Sequence, residues 1–220
     1  MQGLLDGYGK FQRFTISNGT LCFAGRMMDT DFWNTSKRIN KVAPDALFME
    51  TVPPRGYGVM ENLKGKGDNT FVNTLKFGDA YLSVTDSQKM LRFDPITLRI
   101  TGNHTWDDKM DFLNMALGSA HPLPDPKSEA GCMLGLHPQR NVFGGEVQLY
   151  RFCPEAPSKR VSVAKYSTGY LPYFHSFGIS SGHAVLPLMH FEVRSLLPRE
   201  CEGPFAHSPC HATPDGAATR

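Results

Sequence analysis

The chain has 220 residues, of which 40% are apolar and 20% are charged, and its formal net charge is +2. This length and composition predict a globular protein with a buried core in one domain. The small net charge, the lack of dense Lys/Arg runs and the lack of a long apolar segment argue against a nucleic-acid partner and a transmembrane span.

The first predicted element is a β-hairpin. Lys10–Ile16 and Thr20–Met28 have strand-like composition, and the pair Asn18-Gly19 between them supplies a turn that tolerates positive φ. Residues 29–68 are interrupted by repeated Pro and Gly, which predicts a long irregular connection that packs on the rest of the domain.

A four-stranded antiparallel meander is predicted over residues 69–101. Its strands are Asn69–Phe77, Ala80–Thr85, Lys89–Phe93 and Thr97–Thr101, separated by turns at Gly78-Asp79, Asp86–Gln88 and Asp94-Pro95. The following residues, 102–117, are a connection in which residues 108–117 could form one or two helical turns.

The meander then repeats over residues 116–166. The predicted strands are Ala116–His121, Ala130–His137, Glu146–Phe152 and Arg160–Tyr166, with a loop over Pro122–Ser128, and a third group has strands at Tyr173–Ile179 and His183–Met189. A single sheet with two apolar faces cannot stand alone, so successive sheets must pack together. Four short strands recurring about every 50 residues are typical of β-propeller blades.

Two histidines hold equivalent places in these units. His121 and His175 fall in the first predicted strand of successive units. Because the first strand of a blade lines the axis of a propeller, the two side chains can converge on one axial point. The apolar surroundings of His175 predict a buried side chain that needs a partner, and a metal ion is one such partner. The alternative is a pair of core histidines bonded to backbone carbonyls.

Six stretches of the sequence match those of a known protein family in content and in order. They are Asp6–Gly9, Phe48–Pro54, Asp68–Thr74, Phe93–Leu98, Ser119–Asp125 and Tyr173–Gly178. In content and order they resemble the carotenoid cleavage oxygenases, the family that includes carotene-cleaving dioxygenases and the retinal isomerohydrolase. The resemblance extends over residues 5–190, and the two histidine motifs are its most specific part.

This resemblance implies a seven-bladed β-propeller, of which the chain matches about three blades, with Fe(II) held on the axis by four histidines. His121 and His175 match the first two ligands. Where the family has a glutamate that orients a ligand histidine, this chain has Asp86, one methylene shorter, so the resemblance implies an orienting role for Asp86. The alternative for Asp86 is a plain turn residue. Four further histidines do not stand in motifs that match the family's later ligands: His183, His190, His207 and His211.

The function implied by the resemblance is oxidative cleavage of a carotenoid or apocarotenoid double bond by O2, with peripheral membrane contact for access to the substrate. Phe174 and Phe177 would either line the substrate tunnel or pack in the core. One alternative is a catalytically inactive fragment with an incomplete metal site that binds an apolar ligand. Another is an unrelated metalloprotein such as a zinc hydrolase, although the sequence has no HExxH spacing.

The predicted organisation is a partial propeller domain over residues 1–193 and a disordered tail over residues 194–220, which are rich in Pro, Gly and small polar residues. The N-terminus does not resemble a signal peptide. Five scattered cysteines without CxxC pairing favour reduced thiols and an intracellular location, in the cytoplasm or a plastid.

Overall fold

The computed structural model describes residues 7–44, 67–108, 117–139 and 144–188, and the strand residues 211–212 and 218–219. Over these residues the fold is all-β apart from one helix. The elements in chain order are β1 (Lys10–Ser17), β2 (Thr20–Met27), α1 (Asp31–Ile39), β3 (Asn73–Phe77), β4 (Ala80–Val84), β5 (Met90–Phe93), β6 (Ile100–His104), β7 (Leu123–Pro124), β8 (Met133–Gln139), β9 (Gly145–Cys153), β10 (Ala156–Thr168), β11 (Gly178–Ile179), β12 (Ala184–Val185), β13 (His211–Ala212) and β14 (Ala218–Thr219).

The predicted N-terminal hairpin is confirmed. β1 and β2 pair antiparallel along their whole length. Asn18 has φ 47° and Gly19 has φ 74°, the left-handed conformations that a two-residue hairpin turn requires. One face of the hairpin packs on the first four-stranded sheet, where Phe11 stacks on Phe93 with ring centres 4.4 Å apart. The hairpin is therefore closed by its own turn and held on the sheet by the buried cluster of Phe11, Met28, Leu91, Phe93 and Leu98.

A helix, α1, lies where the sequence predicted an irregular connection, and that prediction is wrong at α1. Thr30 caps the helix, because its side-chain oxygen accepts the N–H of Trp33 at 3.1 Å. The carboxylate of Asp68 accepts the N–H groups of Asp31 and Phe32 at 2.6 and 3.2 Å. A carboxylate at a helix N-terminus also favours the helix dipole. The rest of the predicted connection, residues 45–66, lies outside the described residues.

Both predicted meanders are confirmed as four-stranded antiparallel sheets, with strand orders β3-β4-β5-β6 and β10-β9-β8-β7. The main difference is at the start of the second sheet, whose first strand is β7 and not residues 116–121. Leu117 makes only an isolated bridge with Ser87, and the N–H of Gly118 donates to the carbonyl of Asp86. This segment therefore crosses the β4–β5 loop and does not extend the sheet.

The two sheets share a hydrophobic core. The cluster between them is formed by Phe77, Leu82, Val84 and Met90 of the first sheet with Tyr150 and Phe152 of the second. A second cluster joins the second sheet to the segment that follows it, and there Phe174 and Phe177 pack with Leu134, Leu136 and Val147. Of the two roles considered for Phe174 and Phe177, tunnel lining and core packing, both residues have the packing role.

A buried polar network fixes the β4–β5 loop to the second sheet. The side chain of Arg160 is fully buried, pairs with Asp108 and donates to Gln88 Oε1 at 2.8 Å. Tyr150 OH donates to the same oxygen at 3.0 Å, and Gln88 Nε2 donates to the carbonyl of Leu117 at 2.7 Å. Because a buried charge needs a partner, this network specifies one relative position of the two sheets.

A disulfide joins Cys132 to Cys153, so the prediction of reduced thiols is wrong for these two residues. Its cause is the register of β8 and β9, which pairs Met133 with Phe152 and leaves the two cysteines opposite each other. Their Cα atoms lie 4.1 Å apart. Cys22 is free and exposed.

Several predictions concern parts of the chain outside the described residues. Most of the predicted helical turns fall in residues 109–116, which are outside the described part of the chain. Most of the predicted tail, residues 194–220, is outside it as well. Within residues 194–220, β13 pairs antiparallel with β14. Across the described part of the chain, no helix is long and apolar enough to cross a membrane.

Candidate functional site

The structure brings His121 and His175 together. Their Nε2 atoms lie 3.0 Å apart, and the two ring planes meet at 70°. Both residues precede the first strands of their sheets, β7 and β11, so the prediction that they lie within strands is wrong. Pro122, which has no N–H to donate to a ladder, follows His121 directly. The expected convergence of the two side chains is present in the structure.

The spacing of the two Nε2 atoms suits adjacent positions around one metal ion. For metal–nitrogen lengths of about 2.1 Å, ligands at a right angle are about 3.0 Å apart, and ligands at a tetrahedral angle are about 3.4 Å apart. The observed 3.0 Å matches the right angle of an octahedral shell. A straight N–H···N hydrogen bond would separate the ring centres by about 5.3 Å, the nitrogen spacing plus two ring radii. The ring centres are only 4.7 Å apart, so the two rings depart from a straight hydrogen bond toward the arrangement expected around one shared metal ion.

The prediction that His175 is buried is wrong, because its side chain is 47% exposed. The neighbouring Phe174 and Phe177 are buried in the core. In an extended segment successive side chains point to opposite sides, so burial of Phe174 turns His175 outward. The imidazole is therefore accessible from solvent on the side of the convergence.

Asp86 holds the other nitrogen of His175. Its two carboxylate oxygens lie 3.0 and 3.1 Å from His175 Nδ1, so the shorter aspartate does reach the ring. An ionised carboxylate can only accept, which places the proton of a neutral His175 on Nδ1 and leaves a lone pair on Nε2. The N–H of Ala120 donates to Asp86 Oδ1 at 3.2 Å, so the same carboxylate also contacts the segment that carries His121.

Tyr173 supports this carboxylate. Its hydroxyl donates to Asp86 Oδ2 at 2.9 Å and lies 3.3 Å from His175 Nδ1. Burial, followed by the charge of Asp86, raises the pKa of Tyr173. The hydroxyl therefore remains a protonated donor at physiological pH.

Ser119 joins the two histidines through their backbones. Its hydroxyl donates to the carbonyl of His175 at 2.8 Å and accepts the N–H of His121 at 3.2 Å. Gly118 allows the segment that carries Ser119 to lie against the β4–β5 loop, since a Cβ at position 118 would lie 2.8 Å from the carbonyl oxygen of Ser87. One buried hydroxyl thus links residues that are 54 positions apart in the sequence.

His121 has a different partner from His175. Asn73 Nδ2 lies 3.2 Å from His121 Nδ1 and also donates to the carbonyl of Ala120 at 3.3 Å. Asn73 Oδ1 accepts the N–H of Thr74 at 2.8 Å, which orients the amide with its NH2 group toward His121. The two Nδ1 atoms of the pair therefore face an amide donor in one case and a carboxylate acceptor in the other.

No sequence pattern assigns a role to Asn73, Ser119 or Tyr173, although all three lie in stretches that carry the family resemblance. The available signal was that Ser119 and Tyr173 lie two residues from a histidine, whereas Asn73 stands in a separate stretch, 48 residues before His121. Among the described residues, no third His, Cys, Asp or Glu joins the His121–His175 pair in a three-ligand cluster. His183 is exposed, and its backbone N–H donates to Ser180 and not to the His121–His175 pair. His190 and His207 lie outside the described residues.

Comparison with known proteins identifies related sequences. A family model described as retinal pigment epithelial membrane protein matches residues 1–210. The mitochondrial carotenoid-cleaving dioxygenase of Macaca fascicularis is 23% identical over 199 residues, which cover 82% of this chain and 35% of the relative. The β,β-carotene 15,15'-dioxygenase of Gallus gallus is 22% identical over 205 residues, which cover 82% and 37%. The chain thus spans about a third of the length of these curated relatives.

Solved structures show the same fold. A mutant of the Synechocystis apocarotenoid oxygenase superposes with a TM-score of 0.59 at 19% identity, over 80% of this chain and 36% of that one. The cobalt-substituted Synechocystis enzyme superposes with a TM-score of 0.58 at 20% identity, over the same shares of the two chains. The two four-stranded sheets are therefore arranged as in the propeller fold of these structures.

Proposed function

Because the chain belongs to the retinal pigment epithelial membrane protein family, we propose that His121 and His175 hold Fe(II) in a site that cleaves a carotenoid or apocarotenoid double bond with O2. Family membership confirms the resemblance to the carotenoid cleavage oxygenases. The reaction itself is inferred from relatives whose names describe carotenoid-cleaving dioxygenases.

The observation that carries the proposal is the convergence of two Nε2 atoms 3.0 Å apart. Neutral imidazole suits iron among the first-row metals, and a ring with its Nδ1 proton held by a carboxylate offers Nε2 as the ligand atom. The donor set therefore fits the metal. When bound, ferrous iron would supply the redox chemistry that joins O2 to the double bond.

The residues of this chain have distinct parts in the proposed site. His121 and His175 bind the metal, Asp86 fixes the tautomer of His175, and Ser119 fixes the spacing of the two backbones. The exposed side of His175 leaves room for substrate to approach. Two protein ligands hold a metal less firmly than four, so a site with His121 and His175 as its sole protein ligands should bind ferrous iron weakly and lose it on dialysis.

An apolar surface supports the proposed peripheral membrane contact. Phe14, Ile16, Leu21 and Phe23 lie on one face of the β1–β2 hairpin, and each is more than half exposed. A lipophilic substrate partitions into bilayers, so an apolar hairpin face would help the protein to reach it. Cosedimentation with neutral phosphatidylcholine vesicles should fall in an Ile16→Ser/Leu21→Ser variant.

A second candidate function is binding of an apolar ligand without cleavage. It is favoured by the presence of only two convergent histidines among the described residues. In this case the protein would bind an apocarotenoid but would form no carbonyl products.

One experiment separates the two functions. The anaerobically purified protein, loaded with Fe(II), is mixed with an apocarotenoid and then with ¹⁸O-labelled O2. Cleavage consumes one O2 per double bond and gives two carbonyl products, so the label should appear in both product fractions before exchange with water. Binding without labelled products would establish the second function. A labelled product formed equally well by the His121→Ala/His175→Ala variant would overturn the proposed site.

A further inference from the structure

A second group of metal-ligating side chains lies away from the two histidines, beside the turn between β9 and β10. Cys132, Cys153 and Glu155 each bring one ligand atom to within 4.8 Å of the other two. Cys132 is buried, Cys153 is half-buried and Glu155 is exposed, so the group opens to solvent on one side. In the part of the chain that the structure describes, no other three such side chains converge in this way.

The positions of the two cysteines do not depend on the disulfide alone. The register of β8 and β9 sets Cys132 opposite Cys153, with their Cα atoms 4.1 Å apart. The N–H of Asp125 donates to the carbonyl of Cys132 at 2.9 Å, and the N–H of Cys132 donates to Ser128 Oγ at 3.2 Å. Because the sheet and these hydrogen bonds do not involve the sulfur atoms, they hold the pair together when the disulfide is reduced.

Glu155 is held beside the cysteines by a two-residue turn. Cys153 pairs with Ala156 across this turn, whose two residues are Pro154 and Glu155. The ring of Pro154 fixes its φ angle, and the turn packs against Gly78, where a Cβ would lie 3.1 Å from Pro154 Cβ. The carboxylate is thus carried by a short and restrained segment.

We propose that reduced Cys132 and Cys153 form a zinc site with Glu155, so that this end of the second sheet is closed either by a disulfide or by a metal ion. Thiolate ligands favour zinc over magnesium and calcium, and two thiolates, one carboxylate and one water complete a tetrahedral shell. Bond lengths of about 2.3 Å to sulfur and about 2.1 Å to oxygen place these ligand atoms about 3.6–3.8 Å apart. The three side chains can reach that spacing by rotating about their own bonds once the sulfurs are separate. The inference is independent of the proposed function.

The change between the two states is a thiol–disulfide exchange followed by metal binding. A dithiol reductant attacks the sulfur of half-buried Cys153, and Cys132 leaves as a thiolate. The second thiol of the reductant then releases Cys153, so the reductant becomes a cyclic disulfide and the two cysteines together gain two electrons and two protons. Binding of Zn²⁺ returns both protons to solvent. Exchange with an oxidised dithiol reverses both steps and releases the ion.

The test is a Cd²⁺ titration followed by the ultraviolet charge-transfer band of cadmium thiolates, which histidine ligands do not produce. All samples carry Cys22→Ser, Cys201→Ser and Cys210→Ser, which leaves Cys132 and Cys153 as the only cysteines of the full chain. One portion is reduced with dithiothreitol, which is then removed anaerobically, and the other portion stays oxidised. The reduced chain should bind one Cd²⁺ with the thiolate band, an excess of Zn²⁺ should displace it, and the oxidised chain should give no band.

A matched pair of variants tests the carboxylate. Glu155→Gln should weaken Cd²⁺ binding by the reduced chain at least about tenfold, the lower end of the loss seen when even the partners of ligands are removed. Glu129→Gln is the control, because Glu129 is also exposed and lies three residues before Cys132 but is not part of the group. Its affinity should equal that of the parent chain.

The outcomes that would overturn the proposal are distinct. Absence of the thiolate band from the reduced chain, or the same band in the oxidised chain, would overturn the zinc site. Since these two samples have the same sequence, this comparison does not depend on the folding of any variant. Unchanged affinity in Glu155→Gln, or an equal loss in Glu129→Gln, would overturn the role of Glu155 as a ligand.

Discussion

Removal of the Ser119 hydroxyl should separate the two histidines without touching either ring. In Ser119→Ala the carbonyl of His175 and the N–H of His121 lose the contacts of 2.8 and 3.2 Å that one hydroxyl provides. Ser119 is buried, so water cannot replace it without cost. The free energy of unfolding should fall by about 1–3 kcal/mol, the usual penalty of unpaired buried polar groups.

The larger expected effect is on metal binding. His121 and His175 stand on separate segments, and their Nε2 spacing of 3.0 Å depends on contacts that cross between those segments. Ser119 is one such contact and the Asp86 carboxylate is another, so loss of Ser119 should loosen the pair but not release it. We expect Co²⁺ affinity to fall about tenfold, in the range seen when partners of ligands are removed.

The assay is a Co²⁺ titration followed by visible absorbance at a temperature well below the thermal midpoint. Ser176→Ala is the matched control, because Ser176 follows His175 directly and is exposed. Wild-type affinity in Ser119→Ala, or an equal loss in Ser176→Ala, would refute the role of Ser119 in setting the spacing.

Three further predictions concern other parts of the molecule. Burial, followed by the charge of Arg92, lowers the pKa of His104 to about 4, so the unfolded chain binds a proton between about pH 6.5 and 4 that the folded chain does not. The free energy of unfolding should therefore fall by up to about 3 kcal/mol as the pH drops through this window, and urea denaturation should show a smaller fall in His104→Phe. Replacing both Cys132 and Cys153 by Ser should cost about 3 kcal/mol for a sequence separation of 21, measured under non-reducing conditions, and equal stability would show that the disulfide does not form in solution. Arg160→Ala should cost about 2–3 kcal/mol, because the fully buried guanidinium pairs with Asp108 and donates to Gln88, and a change under 1 kcal/mol would contradict the role of the buried network.

The sequence predicted the elements that depend on local patterns. The hairpin follows from Asn18-Gly19, and the two four-stranded sheets follow from short apolar strands separated by turns such as Gly78-Asp79. These features need no knowledge of distant residues. Thr30 is a local capping signal for α1, but the prolines downstream favour an irregular connection, and the carboxylate of Asp68 that completes the helix N-terminus lies 36 residues from Phe32.

The site could be predicted only in outline. The resemblance selected His121 and His175 and drew attention to Asp86, which lies 89 positions from His175 yet contacts its ring. It could not reveal that Asn73 contacts His121 or that Ser119 links both backbones, because these contacts arise where residues 117–121 pack against β3 and against the segment that carries His175. The Cys132–Cys153 disulfide likewise depends on the register of β8 and β9, which the spacing of cysteines along the sequence does not specify.

The most direct test of a shared ion is a double-mutant cycle on Co²⁺ affinity with His121→Ala, His175→Ala and the double variant. If both imidazoles bind one ion, either single substitution removes most of the affinity, and the second adds little to the loss. We therefore predict a coupling of more than tenfold between the two positions. Unchanged affinity in both single variants, or losses that add in full, would contradict a metal centre built on His121 and His175.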